Sequence, residues 1–175
     1  MKRFVWVFPA ILILCAAAQA QDVPRVEISG GYSFLDANLG GPTFHLNGGY
    51  ASATEDLNSW FGGRVEFNGY AGTLSGTSVT AQTIMYDPVF SYRRFDRITP
   101  YANVGLGAIH GSVGYLGISK SVFRFALTAG GGVDFNVNTR TAIRVQADYL
   151  MSTFLGLRQD NLLISTGLVF RFGKR

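Results

Sequence analysis

The chain has 175 residues and a formal net charge of +4; charged residues make up only 15%, while aromatics reach 14% and glycine numbers 22. Ordinary soluble domains carry roughly a quarter charged residues, and here lysine occurs only at Lys2, Lys120 and Lys174, so the lysine-and-glutamate coat of a soluble protein is missing. With Lys2 and Arg3 in a removable leader the surplus falls to +2, which is too weak a balance for a nucleic-acid surface.

The leader comes first. Met1-Lys2-Arg3 is basic, the stretch 4–18 is apolar, and Ala18-Gln19-Ala20 gives the small-x-small pattern before a cut at Gln21. This predicts a secretory signal peptide over residues 1–20 and one domain over 21–175, 155 residues long and able to bury a sizeable interior. Cys15 raises the alternative of a lipidated cysteine, which Leu14 disfavours by standing where a small residue belongs. Without Cys15 the domain has no cysteine, and neither a disulfide framework nor a thiolate metal site is expected.

After the leader the chain alternates at period two, the mark of strands whose two faces meet different surroundings. "RVEISGGYSFL" sets Val26, Ile28, Tyr32 and Phe34 against Glu27, Ser29 and Ser33. A weaker Gly- and Ala-rich segment covers 44–54. "WFGGRVEFNGY" sets Val65 and Phe67 against Arg64, Glu66 and Asn68, and "QTIMYDPVFSY" sets Ile84, Tyr86, Phe90 and Tyr92 against Thr83, Asp87 and Ser91. Pro88 removes a ladder donor there and predicts a bulge. A second weak segment covers 101–113. "SVFRFALTAGGGVDF" sets Phe123, Phe125, Leu127, Val133 and Phe135 against Arg124, Thr128 and Asp134. "TAIRVQADYL" sets Ile143, Val145, Ala147 and Tyr149 against Arg144, Gln146 and Asp148; "NLLISTGLVFRF" sets Leu162, Ile164, Leu168, Phe170 and Phe172 against Ser165 and Arg171.

These make eight strands. The breaks at 36–42, 55–59, 71–81, 93–100, 114–120, 136–140 and 154–160 are rich in Gly, Asn, Asp, Ser or Pro, the residues that turns require. Eight strands with seven such connections predict an all-β, antiparallel up-and-down barrel.

Periodicity leaves open which face points inward. A soluble ligand carrier would turn the apolar face in, and a membrane barrel would turn it out. The bulky residues lie on one parity, and the other mixes charges with Gly, Ser, Ala and Thr, as a narrow interior needs. That polar parity holds five acids, Glu27, Glu66, Asp87, Asp134 and Asp148, and four arginines, Arg64, Arg124, Arg144 and Arg171, nearly balanced as a buried network must be. Tilted strands of about ten residues cover the roughly 25 Å apolar band of an outer membrane. Aromatics at strand ends, Tyr32, Phe34, Trp60, Phe61, Tyr70, Tyr92, Tyr101, Tyr149 and Phe154, suit interfacial girdles. The expectation is a transmembrane barrel with lipid on the Val145 side and a luminal charge network on the Arg144 side.

"VEISGGYSFL", "RFALTAGGGVDF", "AIRVQADYL" and "LLISTGLVFRF" resemble the OmpA-like outer-membrane β-barrel domain in its short form without a peptidoglycan-binding tail. The resemblance covers most of the mature chain and is strongest in the last three strands. It implies an outer-membrane location, periplasmic chain ends, a lumen closed to large solutes, and no reaction. It also implies recognition of the last strand by the barrel-assembly machinery, with one departure: Gly173, Lys174 and Arg175 follow the terminal aromatic Phe172.

Catalytic candidates are few. His45 and His110 fall near the ends expected outside the cell, with Ser112, Asp36 and Asp160 in neighbouring segments, and a lipid-modifying enzyme would need such a set at one rim. Strand parity places His45 inward and His110 outward, which opposes a shared site. Gly130, Gly131 and Gly132 precede no helix and so form no phosphate loop; they suit close strand packing. Glu27 and Glu66 fit pairing with arginines better than a catalytic pair. No catalytic, cofactor or metal site is expected, and no cofactor. The readings carried forward are a barrel anchor with a structural or surface-interaction role, a narrow pore for ions or very small solutes, and, far behind, a barrel enzyme. Partners are outer-membrane lipid, the assembly machinery and whatever meets the loops; nucleic acid is not one, and no loop motif specifies another.

Overall fold

The computed structural model describes residues 23–37, 44–74, 77–115, 118–154 and 157–173; the expected leader with Cys15, most of the expected connection 36–42, and Lys174 and Arg175 lie outside them. Eight strands follow in order: β1 (Val26–Ala37), β2 (Phe44–Asp56), β3 (Phe61–Leu74), β4 (Thr77–Ser91), β5 (Ile98–Tyr115), β6 (Ile118–Asn136), β7 (Thr141–Phe154) and β8 (Leu157–Phe172). Each pairs antiparallel with the next and β8 returns to β1, closing the barrel with Glu27 opposite Arg171. Closure removes the sheet edges that lipid would leave unsatisfied.

One end of the barrel carries the start of β1, the end of β8 and the turns 57–60, 92–97 and 137–140; it is the turn end. Asn58 shapes the first of these turns by accepting the backbone N–H groups of Trp60 and Phe61 at 2.9 and 2.8 Å. Asn138 repeats the device with Arg140 at 2.8 Å. At the opposite, far end the expected connections 71–81, 114–120 and 154–160 are mostly strand. The ladders run on to Leu74↔Thr77, Tyr115↔Ile118 and Phe154↔Leu157 and leave two residues between strands. Gly and Ser in these stretches read as turns because they lack bulk, but their backbone groups still pair across a hairpin. At the other terminus Gly173 takes φ +71°, a left-handed conformation suited to glycine, and ends β8.

Pro88 introduces no bulge. On one side its strand stays in register, with Gly63↔Pro88; on the other the β4–β5 pairs resume at Val89↔Asn103 in the register left at Tyr86↔Leu106. The ladder is interrupted at residues 87 and 88 without an inserted residue, since a missing donor costs a bond but not a place in the register. Gly105 lies across from that gap. A Cβ there would stand 1.7 Å from Asp87 Oδ1 and 2.4 Å from Thr128 Oγ1, so the glycine is the space that the carboxyl group occupies.

The two parities separate as expected for a membrane barrel. Val65, Phe67, Ile84, Tyr86, Leu106, Phe125, Val145, Ile164, Leu168 and Phe170 point outward and exposed, while Glu27, Arg64, Glu66, Asp87, Asp134, Arg144 and Asp148 are buried inside. Trp60, Phe61 and Phe90 cluster at the turn end with ring centroids 5.3 to 6.1 Å apart. Tyr70 and Tyr101, expected in the girdles, are instead buried in the lumen. They share the parity of Asn68 and Asn103, and parity decides direction whatever the residue type.

The outward face gives a direct test. Val145→Arg places a cation at mid-strand on the lipid side and should destabilise the inserted barrel by about 2 to 4 kcal/mol. Reversible unfolding in vesicles measures this; Ser165→Arg, on the luminal parity, should instead act through crowding among its buried neighbours.

Candidate functional site: the lumen

The lumen is built in layers. Toward the far end every strand contributes to an apolar plug: Leu35 and Ala37 from β1, Leu46 from β2, Tyr70 from β3, Ala81 and Met85 from β4, Ala126 from β6, Leu150 from β7 and Leu163 from β8, with Ile109 of β5 packed against them. These apolar side chains sit on the parity of the charges, where an entirely polar lining was expected. Below them Ser33 Oγ lies 2.8 Å from both Tyr70 Oη and Ser165 Oγ and gives the tyrosine a partner.

At the turn end lies a balanced cluster of three arginines and three acids. Arg144 donates through Nε and Nη2 to the two oxygens of Asp134 at 2.7 and 2.9 Å, and through Nη2 to Glu27 at 3.1 Å. Arg171 donates to Glu27 at 2.9 Å, Asp134 at 3.0 Å and Asn136 at 2.7 Å. The third arginine is Arg93, which the turn 92–97 sends back into the mouth. Its Nη2 donates to Asp56 at 2.9 Å and its Nη1 to Glu27 at 3.2 Å. Such charge-assisted forks replace the hydration that burial removes. In front of this cluster the mouth opens into a cavity of about 1190 Å³, lined by Arg93, Thr99, Asn136, Arg140 and Arg171 among others.

Between plug and mouth is a second cluster of different charge. Arg64 donates through Nε to Asp87 at 3.2 Å, with Glu66 Oε2 at 3.6 Å, and through Nη1 to Gln146 Oε1 at 2.9 Å. Gln146 Nε2 donates onward to Glu66 Oε2 at 3.3 Å and to Asp148 Oδ2. Asn103 donates to Asp148 Oδ1 at 2.8 Å, Thr128 to Asp87 at 3.2 Å, and Asn68 to Glu66 at 3.1 Å. Tyr101 joins the clusters: its ring stands 4.8 Å from the Arg144 guanidinium and 5.6 Å from that of Arg64, and its hydroxyl donates to Gln146 at 2.6 Å.

Eight of the nine residues expected in the charge network, Glu27, Arg64, Glu66, Asp87, Asp134, Arg144, Asp148 and Arg171, therefore line the lumen. Arg124 does not join them. It is exposed near the far end and donates to the neighbouring Phe123 carbonyl at 2.9 Å, because at its level the lumen holds the apolar plug. Arg93 and Asp56 take part unforeseen: both stood at the edges of expected turns, where parity gives no direction. Asp148, expected beside Arg144, is held by amides instead.

The catalytic candidates remain apart. His45 faces outward, not inward, with Nδ1 3.3 Å from Asp36 Oδ1 and its ring 5.3 Å from Phe34. The Gly- and Ala-rich stretch around it had concealed the strand's parity. His110 belongs to β5, which is not a neighbour of β2. Gly130 and Gly132 clear space in the lumen, since a Cβ on Gly130 would stand 2.3 Å from Asp148 Oδ1 and one on Gly132 2.7 Å from the Tyr101 hydroxyl. Glu27 and Glu66 belong to separate clusters.

The balanced cluster predicts a specific rescue. Arg144→Ala leaves Asp134 and Glu27 short of a cation and should cost about 3 to 5 kcal/mol. Adding Asp134→Asn should recover part of that loss in urea unfolding, and adding Asp148→Asn should show no coupling to Arg144. A second expectation concerns Gly105: Gly105→Ala displaces the Asp87 carboxyl group and should lower the unfolding midpoint, while Ala102→Gly, on the outer face of the same strand, should change it far less.

Among known proteins, the pattern of the outer membrane protein beta-barrel domain matches residues 6–172. No curated protein matches the sequence. Among solved structures, Neisserial surface protein A superposes with a TM-score of 0.75 at 14% identity, over 84% of this chain and 97% of that one. Ail, the attachment invasion locus protein of Yersinia pestis, gives 0.60 at 19% identity, over 84% and 99%. OprG from Pseudomonas aeruginosa gives 0.58 at 12% identity, over 88% and 98%. At these identities the likeness is one of fold.

Proposed function

The chain belongs to the outer membrane protein beta-barrel domain family, and from that premise we propose that it is a closed outer-membrane anchor with a structural or surface-interaction role and no reaction of its own. In this reading residues 1–20 are a cleaved leader and 21–175 the barrel. The turn end faces the periplasm, the far end presents the connections expected at 36–42, 71–81, 114–120 and 154–160 to the outside, and the assembly machinery reads β8 through its terminal Phe172.

The apolar plug carries the reading. Eight strands leave an interior just wide enough for side chains, and here Leu35, Leu46, Met85, Leu150 and Leu163 fill it from opposite walls. An ion crossing that level would give up its hydration to hydrocarbon, a cost that polar pores avoid by lining the path with oxygen. The competing reading, a narrow pore, draws on the polar mouth at the turn end. That cavity reaches Arg93 and Arg171 but is not lined by the deeper Arg144 or Arg64, so it is a vestibule in front of a closed wall.

Planar-bilayer recording separates the two. The wild-type barrel should show no steady open-channel conductance, and the double variant Leu46→Ala, Leu150→Ala should leak small ions through the thinned plug. A wild-type barrel that conducts steadily, with no increase in the double variant, supports the pore instead.

A further inference from the structure

The cavity at the turn end opens on more than the lumen. Its lining takes both parities of β8: Arg171 from the luminal side, and Phe170 and Phe172, 47% and 52% exposed, from the side that faces lipid. Val137, 64% exposed in the turn 137–140, and Arg140 belong to the same lining. The space therefore laps over the rim of the barrel and has two walls, one cationic and one apolar. The apolar wall continues along the lipid face of β8 to Leu168.

We propose that this cavity binds an anionic glycerophospholipid of the surrounding leaflet, with its phosphate against Arg140 and Arg171 and an acyl chain along Phe172 and Phe170. The charge balance favours an anion. In the mouth Arg93, Arg144 and Arg171 are matched one for one by Glu27, Asp56 and Asp134, so that cluster is neutral and Arg140 stands in surplus. Around it the exposed rim sets Arg25, Arg94, Arg97 and Arg140 against Glu55 and Asp96, of which Asp96 lines the cavity. Arg171 donates to Glu27, Asn136 and Asp134 through three of the five N–H groups that a guanidinium carries. Phosphate oxygens accept guanidinium N–H groups in pairs. A zwitterionic headgroup brings its own cation against the arginines of the rim, and a net-negative one does not.

The lip of the cavity is set by the fold itself. The Arg171 N–H donates to the Arg140 carbonyl at 2.8 Å, and the Val137 and Asn138 N–H groups donate to the Thr141 carbonyl at 3.0 and 3.1 Å. Asn138 Oδ1 accepts the Arg140 N–H at 2.8 Å. Arg140 is thus placed beside Arg171 through its backbone. The Arg25 N–H donates to the Phe172 carbonyl at 3.1 Å, and Gly173 then turns the chain at φ +71°. A space that ends at the buried clusters suits a bound headgroup, since a solute in transit needs an exit and the apolar plug closes the lumen beyond. A free anion would meet the cationic wall and gain nothing from Phe170, Phe172 and Val137, whereas a lipid satisfies both walls at once.

Binding here depends on the barrel lying in lipid and not on its conductance or its far end, so it can fail while the anchor reading stands. Native mass spectrometry of the membrane-extracted protein, offered equimolar phosphatidylglycerol and phosphatidylcholine, tests it. The wild type should retain one phosphatidylglycerol in preference to phosphatidylcholine. Arg140→Gln should weaken that binding about fivefold, the effect of one cation near an anionic lipid surface. Arg124→Gln removes the same charge near the far end and should leave the binding unchanged. Val137→Ser should weaken it through the apolar wall, and equimolar inorganic phosphate should not displace the lipid. Equal retention of the two lipids overturns the proposal, as does displacement by inorganic phosphate or a loss in Arg124→Gln as large as in Arg140→Gln. If Arg140→Gln fails to insert, Val137→Ser decides: phosphatidylglycerol bound at wild-type strength means that the lip is not a lipid site.

Discussion

Width is the constraint on which the rest depends. A closed sheet of eight strands encloses a space just wide enough for side chains to fill, so whatever points inward is satisfied largely by other inward side chains. Apolar residues meet this by packing, as Leu35, Leu46, Leu150 and Leu163 do. Charged residues meet it only by forming forks, amide bridges and ring contacts, and those interactions specify their partners far more narrowly than packing does. The lumen is accordingly divided: an apolar plug where no charge enters, a cluster in which three arginines answer three acids, and between them a layer organised by amides, Gln146, Asn103 and Asn68.

The outside of the barrel obeys the opposite rule, and this made the fold legible in the sequence. Lipid asks only that a side chain be apolar, so β1, β3, β6, β7 and β8 announce themselves by a long alternation with Phe, Ile, Leu and Val on one parity. The interior was legible in direction and less so in detail. Parity alone places Glu27, Arg64, Glu66, Asp87, Asp134, Arg144, Asp148 and Arg171 inside, and alternation had already revealed it. It also places Tyr70, Tyr101, Leu35, Leu150 and Leu163 inside, but residue type suggested girdles for the tyrosines and assigned the leucines to neither face. Following the parity of Asn68, Asn103, Glu27, Asp148 and Ser165 would have recovered all five.

Other features lay beyond pattern. Arg93 enters the lumen from a turn, where no periodicity exists, and its direction is set by Glu27 and Asp56 across the mouth. The partner of each charge depends on which strands face one another across the barrel. Arg144 finds Asp134 on the neighbouring β6, where the two are cross-strand partners, in preference to Asp148 on its own strand. Gly130 reads only as close strand packing, and Gly105 only as part of a Gly- and Ala-rich strand, until the carboxyl groups of Asp87 and Asp148 are seen lying against them. A missing side chain leaves no signal about what fills its place.

The pairing of Glu27 with Arg171 spans the seam where the last strand meets the first. Every other seam in the barrel joins strands adjacent in the chain and can zip from its own hairpin, whereas this one must find its register across nearly the whole length of the protein. A slip of one residue would turn Arg171 from the lumen toward lipid and bring its apolar neighbours inward. A slip of two would keep it inside but set it opposite Arg25 or Ser29 instead of the carboxylate. The first acid of the barrel and its last arginine thus act as lock and key for closure: the sheet gains its buried ion pair only when the cylinder shuts in the right alignment, and a sheet joined out of register carries an unanswered charge that favours its reopening.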